Sequence, residues 1–350
     1  MICLKDSLFS FPPSSAIMPP YAMDATVWSN PLSRVFITGA GGFVGGHLER
    51  HLLALYPDIE IHGTILPTLP TPPQRASMTY HPVDLKNEGD VRALIEDIRP
   101  DFIYHLAAQA FVPRSFEAPW ETLENNILAQ LNVILACLGC GLRPRMLVVS
   151  SAEIYGHVDP TEVPIKETAD LRPTSPYSVS KIAQDMLAYQ YYLSHRLPIM
   201  RARPFNHFGP GQHENFVAPA FAIQIARIEA GLQEPIIRVG DLSAKRDFTD
   251  VRDIVQAYRL ITEKGASGGV YNVASNKAYT IQNLLDMMIS MSTTKIEVAV
   301  EAERLRPVTI PILQGDCAHL HAETGWQPQI SFEQSVADIM NDCRQRITTH

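Results

Sequence analysis

A short apolar run that breaks into glycines constrains this chain more than any other stretch. Residues 35–45 read VFITGAGGFVG, in which a segment rich in β-branched residues leads into a glycine turn and then a helical pattern. Gly39 allows a tight turn, Gly42 allows a phosphate to approach the backbone, and Gly45 allows the helix to pack on the strand. The free N–H groups and dipole of the helix would then bind an anion. The stretch predicts a pyrophosphate site, although an ordinary βα turn shares the pattern.

Composition excludes several classes of protein. The 350 residues are 46% hydrophobic and 19% charged, enough for one large domain or two closely associated ones. No apolar run reaches the roughly 18 residues of a membrane span, and a net charge of -8 disfavours nucleic-acid binding. Five cysteines do not indicate a disulfide framework, and Cys137-x-x-Cys140 has no second pair to complete a metal site. We expect a soluble, cytoplasmic protein without a structural metal.

Residues 1–33 differ from the rest of the chain because five prolines interrupt any periodic pattern. They lack the basic leader and continuous apolar core of a signal peptide. We expect a flexible N-terminal extension, within which Met18 or Met23 could equally be the start.

From Val35 onwards, short apolar runs alternate with amphipathic stretches. This βαβα order predicts an α/β fold, a doubly wound parallel Rossmann sheet with right-handed crossovers. Strands are expected near 59–65, 78–83, 102–106, 145–149 and 270–273, and helices near 115–140, 176–194, 217–231, 251–262 and 280–290.

The late strand at 270–273 indicates that a smaller C-terminal α/β domain is interleaved with the sheet. We expect the dinucleotide-binding domain to cover 34–205, together with about 240–275. The substrate-binding domain would then comprise 206–239 and 276–346.

The end of the second strand bears on the choice of cofactor. An acid there would favour NAD, and an arginine would favour the 2′-phosphate of NADP. Ile65 and Leu66 supply neither determinant, and Arg75 is the nearest cation. Because no acid excludes the phosphate, the sequence slightly favours NADP(H) over NAD(H).

Residues after the third and fourth strands would border the same ligand. Asp84 could meet the adenine amino group, or could equally cap the following helix. Ala107 and Ala108 would let a flat cofactor approach, although such pairs also serve plain packing. Asn126 lies inside an apolar helical pattern, which predicts a buried hydrogen-bonding role.

A second constellation follows the fifth strand. Ser151 lies at the carboxyl end of that strand, the edge where ligands bind in open α/β sheets. Tyr177 and Lys181 are four residues apart on a predicted helix and share one face. A nearby ammonium would lower the phenol pKa from about 10, so that the tyrosine could exchange a proton while Ser151 held the same substrate oxygen. An isolated Tyr-x-x-x-Lys would be a surface pair, but this order and spacing predicts a catalytic group.

Four motifs, TGAGGFVG, HLAAQ, SSAEIYG and YSVSK, make the chain resemble the extended short-chain dehydrogenases/reductases from about Arg34 to the C-terminus. RPFNHFGPGQ, VGDLSAKRDFTDVRDIVQAY and RLRP upstream of Thr324-Gly325-Trp326 resemble the members that reduce GDP-4-keto-6-deoxy sugars. The related GDP-mannose 4,6-dehydratases carry Pro-Arg-Arg where this chain has Pro210-Gly211-Gln212. That departure disfavours a dehydratase.

The resemblance implies roles for individual residues. The implied catalytic residues are Ser151, Tyr177, Lys181 and Glu153. The implied cofactor-binding residues are Gly39, Gly42, Phe43, Val44, Gly45, Asp84, Leu85, Leu106, Ala107, Ala108, Tyr177, Lys181 and His207. The implied substrate-binding residues are Ser151, Asn206, Val217, Arg246, Arg304 and Arg306. Guanidinium groups suit a diphosphate because their contacts are bidentate and charge-assisted. A surface ion pair with Asp247 or Asp253 is the alternative for Arg246.

Glu153 is ambiguous within this resemblance. In sugar-nucleotide 4,6-dehydratases a glutamate at this place removes the C5 proton, and an acid or hydroxyl residue precedes it. Here Ala152 precedes it. Similar reductases also carry the glutamate, so Glu153 does little to distinguish a reductase from a dehydratase. It could simply hydrogen-bond backbone or substrate hydroxyls.

These observations predict an NAD(P)H-dependent reductase of a nucleotide-linked 4-keto-6-deoxy sugar, foremost GDP-4-keto-6-deoxy-D-mannose to GDP-D-rhamnose. A GDP-mannose 4,6-dehydratase, or another nucleotide-sugar dehydratase or epimerase, is the alternative. A catalytically silent dinucleotide-binding protein is a remote alternative, and the intact Ser-Tyr-Lys set disfavours it. We expect a homodimer or homotetramer through the helices near 115–140 and 177–194.

Overall fold

A computed structural model describes residues 33–68, 78–301 and 310–348. The predicted N-terminal extension apart from Ser33, together with Arg75, Arg304 and Arg306, lies outside these residues. The strands are β1 Arg34–Thr38, β2 Glu60–Ile65, β3 Met78–Pro82, β4 Phe102–His105, β5 Arg145–Val149, β6 Ile199–Pro204, β7 Asn206–Phe208, β8 Ile236–Val239, β9 Lys245–Asp250, β10 Val270–Val273, β11 Ala278–Thr280, β12 Glu297–Val300 and β13 Ile312–Leu313. The helices are α1 Phe43–Leu55, α2 Glu88–Ile98, α3 Val112–Glu117, α4 Pro119–Gly139, α5 Pro176–His195, α6 Val217–Glu229, α7 Val251–Lys264, α8 Ile281–Ser290, α9 Ala318–Thr324 and α10 Phe332–Thr348.

Seven parallel strands form the main sheet in the order β10-β6-β5-β4-β1-β2-β3. The predicted doubly wound Rossmann fold is thereby confirmed, including the late strand β10, which pairs with β6 at one edge. The strand order reverses beside β1, which lies between β2 and β4. In open α/β sheets this reversal opens a crevice at the carboxyl ends of the strands.

The two faces of the sheet are covered by different helices. Val35 and Ile37 of β1 pack in one hydrophobic cluster with residues of α1 and α7. Phe36, which points the other way, packs with residues of α2, α4 and α5. This division follows from the alternation of side chains along a strand, so that a continuous apolar run feeds both faces.

The predicted helix over 115–140 is wrong as a single element. It divides into α3 and α4 because Pro119 starts a new helix and Ala118 before it has φ -135° and ψ 69°. Proline lacks the N–H that a continuous helix needs, and it disfavours helical geometry in the residue before it.

The C-terminal part forms a second core beside the sheet edge. Residues of α6, α8 and α10 pack with strands β7, β8 and β9 in one cluster. Strand β9 pairs with β7, β11 and β13, while β8 pairs with β12. Within the described residues, no helix is long and apolar enough to cross a membrane.

Candidate active site

The glycine turn has the tight geometry that the sequence predicts. Gly39 adopts φ +69°, and a Cβ there would lie 3.0 Å from the backbone of Ala107. A Cβ on Gly45 would lie 2.6 Å from the carbonyl oxygen of Ala40. Gly42 is the N-cap of α1 and has no side chain to bond the N–H groups of the first turn. The turn therefore leaves a cradle of backbone N–H groups that fits a dinucleotide pyrophosphate.

The neighbouring strand ends border the glycine turn. Leu106, Ala107 and Ala108 are partly buried directly after β4, and the N–H of Ala107 donates to Thr38 Oγ at 3.1 Å. Asp84 does not cap α2, so that alternative is wrong. Asn87 does so through its side chain. The Asp84 carboxylate instead accepts from the N–H of Lys86 at 3.0 Å, and Leu85 after it is buried.

Helix α5 carries Tyr177 and Lys181 and is fixed at its start. Ser175 caps it, with its side-chain oxygen accepting from the N–H of Ser178. The hydroxyl of Ser180 donates to the carbonyl of Tyr177 at 2.6 Å and accepts from Asn126 Nδ2 at 2.9 Å. The predicted buried hydrogen-bonding role of Asn126 is confirmed, and it anchors the first turn of the helix.

The phenol of Tyr177 is buried near the side chain of Ser151. Burial raises the pKa of Tyr177 to about 12, and the nearby Ser151 hydroxyl offsets only part of that rise. The sequence predicts the opposite direction, which is wrong, because loss of water from the phenolate outweighs other effects. At neutral pH Tyr177 is therefore protonated and able to donate.

Lys181 lies beside Tyr177 in the same buried environment. Its Nζ is 6.0 Å from the centre of the Tyr177 ring and donates to the carbonyl of Val149 at 2.9 Å. Burial lowers the pKa of Lys181 to about 7. Lys181 therefore loses its proton well below the pH at which the phenol titrates, and without a charge it does not lower the pKa of the phenol.

Glu153 and Arg246 are partly buried residues whose charges interact. Burial raises the pKa of Glu153, and the charge of Arg246 offsets part of that rise. Arg246 Nη1 donates to the carbonyls of Lys245 and Ile310, both at 2.9 Å. The alternative ion pair is wrong for Asp247, whose carboxylate accepts from Ser275 and from backbone N–H groups.

Asp253 is likewise engaged elsewhere, since it accepts from the N–H groups of Gln329 and Ile330. The carboxylates of Asp247 and Asp253 are therefore already hydrogen-bonded by backbone N–H groups. The charge of Arg246 acts instead on Glu153.

The segment after β6 brings further predicted residues to this region. The ring of His207 stacks on Phe43 of the glycine turn at 6.4 Å, with 5° between the planes. Asn206 Oδ1 is buried and has no hydrogen-bond partner within the described residues. An unpaired buried acceptor is costly unless a ligand or water satisfies it. Val217 is partly buried where α6 begins.

Sequence reasoning missed one buried polar residue near this site. His105 ends β4 and is 1% exposed, with its Nδ1 3.0 Å from Thr38 Oγ. The available signal was a histidine in an otherwise apolar strand, directly before the small residues of HLAAQ.

Comparison with known proteins gives a consistent family. A family model described as GDP-mannose 4,6 dehydratase matches residues 36–339. The GDP-6-deoxy-D-mannose reductase of Pseudomonas aeruginosa is 36% identical over 90% of this chain and 98% of its own length. GDP-mannose 4,6 dehydratase 2 of Arabidopsis thaliana is 30% identical over 94% of this chain and 91% of its own.

Solved structures agree with this fold. The RMD protein of Pseudomonas aeruginosa, complexed with NADPH, matches with a TM-score of 0.80 and 35% identity, over 90% of this chain and 99% of that chain. The UDP-glucose 4-epimerase of Thermus thermophilus, complexed with NAD, matches with a TM-score of 0.79 and 27% identity, over 89% and 99% respectively. By sequence, fold and the arrangement of its cleft, the chain belongs to the GDP-mannose 4,6-dehydratase family within the extended short-chain dehydrogenases/reductases.

Proposed function

We propose that this protein is an NAD(P)H-dependent reductase of a nucleotide-linked 4-keto-6-deoxy sugar, foremost GDP-4-keto-6-deoxy-D-mannose to GDP-D-rhamnose. One observation carries the proposal: a buried, protonated Tyr177 lies near Ser151 and beside Lys181 at the ligand-binding edge of the sheet. The likeness to a GDP-6-deoxy-D-mannose reductase over nearly the whole chain supports the sugar class.

In this reaction the reduced nicotinamide, when bound, supplies a hydride to C4 of the keto sugar. Tyr177 donates its proton to the C4 oxygen, so that the ketone gains one hydride and one proton and becomes an alcohol. Ser151 hydrogen-bonds the same oxygen and orients it. Lys181 stabilises the phenolate that forms as the proton leaves, and also holds the nicotinamide ribose.

The substrate would lie between these groups and the C-terminal core. Arg246 binds the diphosphate or nucleotide, and Arg304 and Arg306 are proposed to join it. Glu153 accepts from sugar hydroxyls, while the unpaired Asn206 Oδ1 accepts from the sugar nucleotide. Val217 at the start of α6 adds an apolar contact.

For the cofactor we propose NADP(H) in preference to NAD(H). The β2 end carries the apolar Ile65 and Leu66 in place of an acid, so nothing there repels a 2′-phosphate. The similar Pseudomonas aeruginosa structure is a complex with NADPH, which supports the same choice. The glycine cradle, Asp84, the alanines after β4 and His207 form the proposed binding surface.

A 4,6-dehydratase is the second candidate, because Glu153 lies within electrostatic reach of Tyr177. Two features favour the reductase. Ala152, where dehydratases carry an acid or hydroxyl residue, is 1% exposed. Gly211 has φ +86°, so the Pro-Arg-Arg segment of the dehydratases would force a side chain into a left-handed conformation at this position.

Purified protein incubated with GDP-4-keto-6-deoxy-D-mannose and NADPH tests the proposal. We expect oxidation of one NADPH per sugar reduced, followed by absorbance and by mass. The Tyr177→Phe variant is the control for the chemistry. Conversion of GDP-mannose without added reductant would instead establish the dehydratase.

We further propose a cytoplasmic homodimer or homotetramer in which 34–205 with 240–275 bind cofactor, and 206–239 with 276–346 bind substrate. Apolar side chains on and beside α4 and α5 support the assembly, since Trp120 is 82% exposed and Leu193 50% exposed. Light scattering of Leu193→Glu tests it, because a charge in the interface should yield monomers.

A further inference from the structure

We infer that His105 is a positioning residue for the proposed reduction, a neutral imidazole that fixes helix α5 relative to the strand end before the glycine turn. The inference rests on the proposed function. His105 would touch neither substrate nor cofactor, and would act through the spacing of the groups that do.

The first link joins His105 to the glycine turn. Thr38 and His105 face each other in register as the last residues of β1 and β4, and Thr38 Oγ lies 3.0 Å from His105 Nδ1. Thr38 Oγ also accepts from the N–H of Ala107 at 3.1 Å. The next residue in the chain is Gly39, so any shift of Thr38 moves the phosphate cradle.

The neighbours of His105 on both sides suit a neutral ring. Thr38 Oγ accepts from Ala107 and still has a proton and a second lone pair, so it can donate to His105 Nδ1 or accept from it. A neutral imidazole has one donor and one acceptor nitrogen, and so it can bond Thr38 on one side and the Gln184 amide on the other.

The second link joins His105 to the catalytic helix. The side-chain nitrogen of Gln184 lies 3.4 Å from His105 Nε2, and Gln184 Oε1 has no partner within the described residues. Because a 180° rotation of an amide exchanges its oxygen and nitrogen, the Gln184 side chain can donate to His105 Nε2 or accept from it. Gln184 follows Lys181 by three residues on α5, so both face the same side of the helix.

Charge requires the same neutral form. Burial, together with the smaller effect of the charge on Lys181, lowers the pKa of His105 to about 3. A protonated His105 would place a second cation beside Lys181 and would leave the ring without an acceptor nitrogen. Thr38, His105 and Gln184 are all at most 1% exposed, so no water screens this arrangement.

The consequence concerns hydride transfer. The glycine turn fixes one end of the dinucleotide, whereas Tyr177 and Lys181 on α5 fix the reacting oxygen and the ribose. The Thr38–His105–Gln184 connection sets the separation of these two supports. A misplacement of about 1 Å can cost about 10²-fold in rate, so loss of the connection should slow hydride transfer while the protein stays folded.

The experiment compares variants by single-turnover hydride transfer from NADPH to GDP-4-keto-6-deoxy-D-mannose. His105→Phe keeps the ring and removes both nitrogens, and we expect a 10- to 100-fold slower rate with the dissociation constant of NADPH within about three-fold of wild type. His105→Asn keeps a polar atom near Nδ1 but is too short to reach Gln184, so it should be nearly as slow as His105→Phe. Thr38→Val should reproduce the loss. His51→Phe is the matched control, since His51 bonds Arg259 away from the cleft.

A His105→Phe enzyme as fast as wild type, or a His105→Asn enzyme that recovers the wild-type rate, would overturn the inference. So would imidazole nitrogen chemical shifts showing a protonated ring at pH 6. Failure of the wild type to reduce any keto sugar nucleotide would remove the proposed function itself, whereas the imidazole shifts need no turnover and would still test the neutral His105.

Discussion

Replacing Lys181 by methionine should abolish the proposed reduction and yet make the cofactor-free protein more stable. Lys181 is 4% exposed, and burial alone lowers its pKa from 10.5 to about 7. A methionine of similar length removes the buried charge. It also removes the hydrogen bond to the carbonyl of Val149, and the loss of this bond offsets part of the gain in stability.

The sign follows from proton binding. Between the folded pKa of about 7 and the unfolded value of 10.5, the unfolded chain binds more protons, so wild-type stability rises with pH across this window. Above pH 10.5 the buried Lys181 is neutral in both states and costs no stability through its charge. Below pH 7 it is charged in both states and the full cost of burying the charge applies. A fall of about 3.5 units at about 1.4 kcal/mol each corresponds to about 5 kcal/mol. Losing the carbonyl's partner costs about 1 to 3 kcal/mol, which leaves about 2 to 4 kcal/mol in favour of Lys181→Met below pH 7.

Denaturant unfolding at pH 6.5, 8 and 9.5, followed by circular dichroism, measures this difference. The advantage of Lys181→Met should shrink as the pH rises, whereas Lys295→Met, at an exposed position, should show no such trend. A variant less stable than wild type at pH 6.5, or a difference that does not change with pH, would refute the reasoning.

Three further substitutions test the cleft. Tyr177→Phe deletes the proton donor while keeping the ring, so kcat should fall by about 10²- to 10⁴-fold with NADPH affinity nearly unchanged. Gly45→Ala places a Cβ 2.6 Å from the carbonyl oxygen of Ala40 and should abolish NADPH binding in a fluorescence titration, whereas Gly139→Ala, which meets nothing within 4 Å, should bind normally. Arg246→Met should raise the KM for the GDP-sugar by at least about ten-fold while lowering kcat less, because one charge-assisted contact is worth about 1.5 to 3 kcal/mol.

The local features of this fold could be predicted from sequence because each depends on a short run of neighbouring residues. The strand at 145–149 and the late strand at 270–273 match β5 and β10 to the residue. Each is an apolar run bounded by turn residues. Pro119 also marks the break between α3 and α4 in the sequence. The apolar periodicity on both sides of it nevertheless suggests one continuous helix.

The electrostatics of the cleft could not be predicted in the same way. The direction of the Tyr177 pKa depends on how deeply the whole fold buries the phenol, and spacing to Lys181 says nothing about that depth. The contact between Thr38 and His105 spans 67 residues of sequence. No local pattern marks such a pair, since it arises only when two strands adopt a register.

The position of β10 limits where this chain can be truncated or recombined with another. Strand β6 pairs on one side with β5 and on the other with β10, which returns only after α6 and α7 have been built. A chain cut after β6 would leave an unpaired edge of buried strand, prone to aggregate. A single recombination point therefore cannot exchange the C-terminal core with that of another enzyme. A new substrate range has to come from replacing individual side chains in the cleft, or from two matched junctions on either side of the inserted segment.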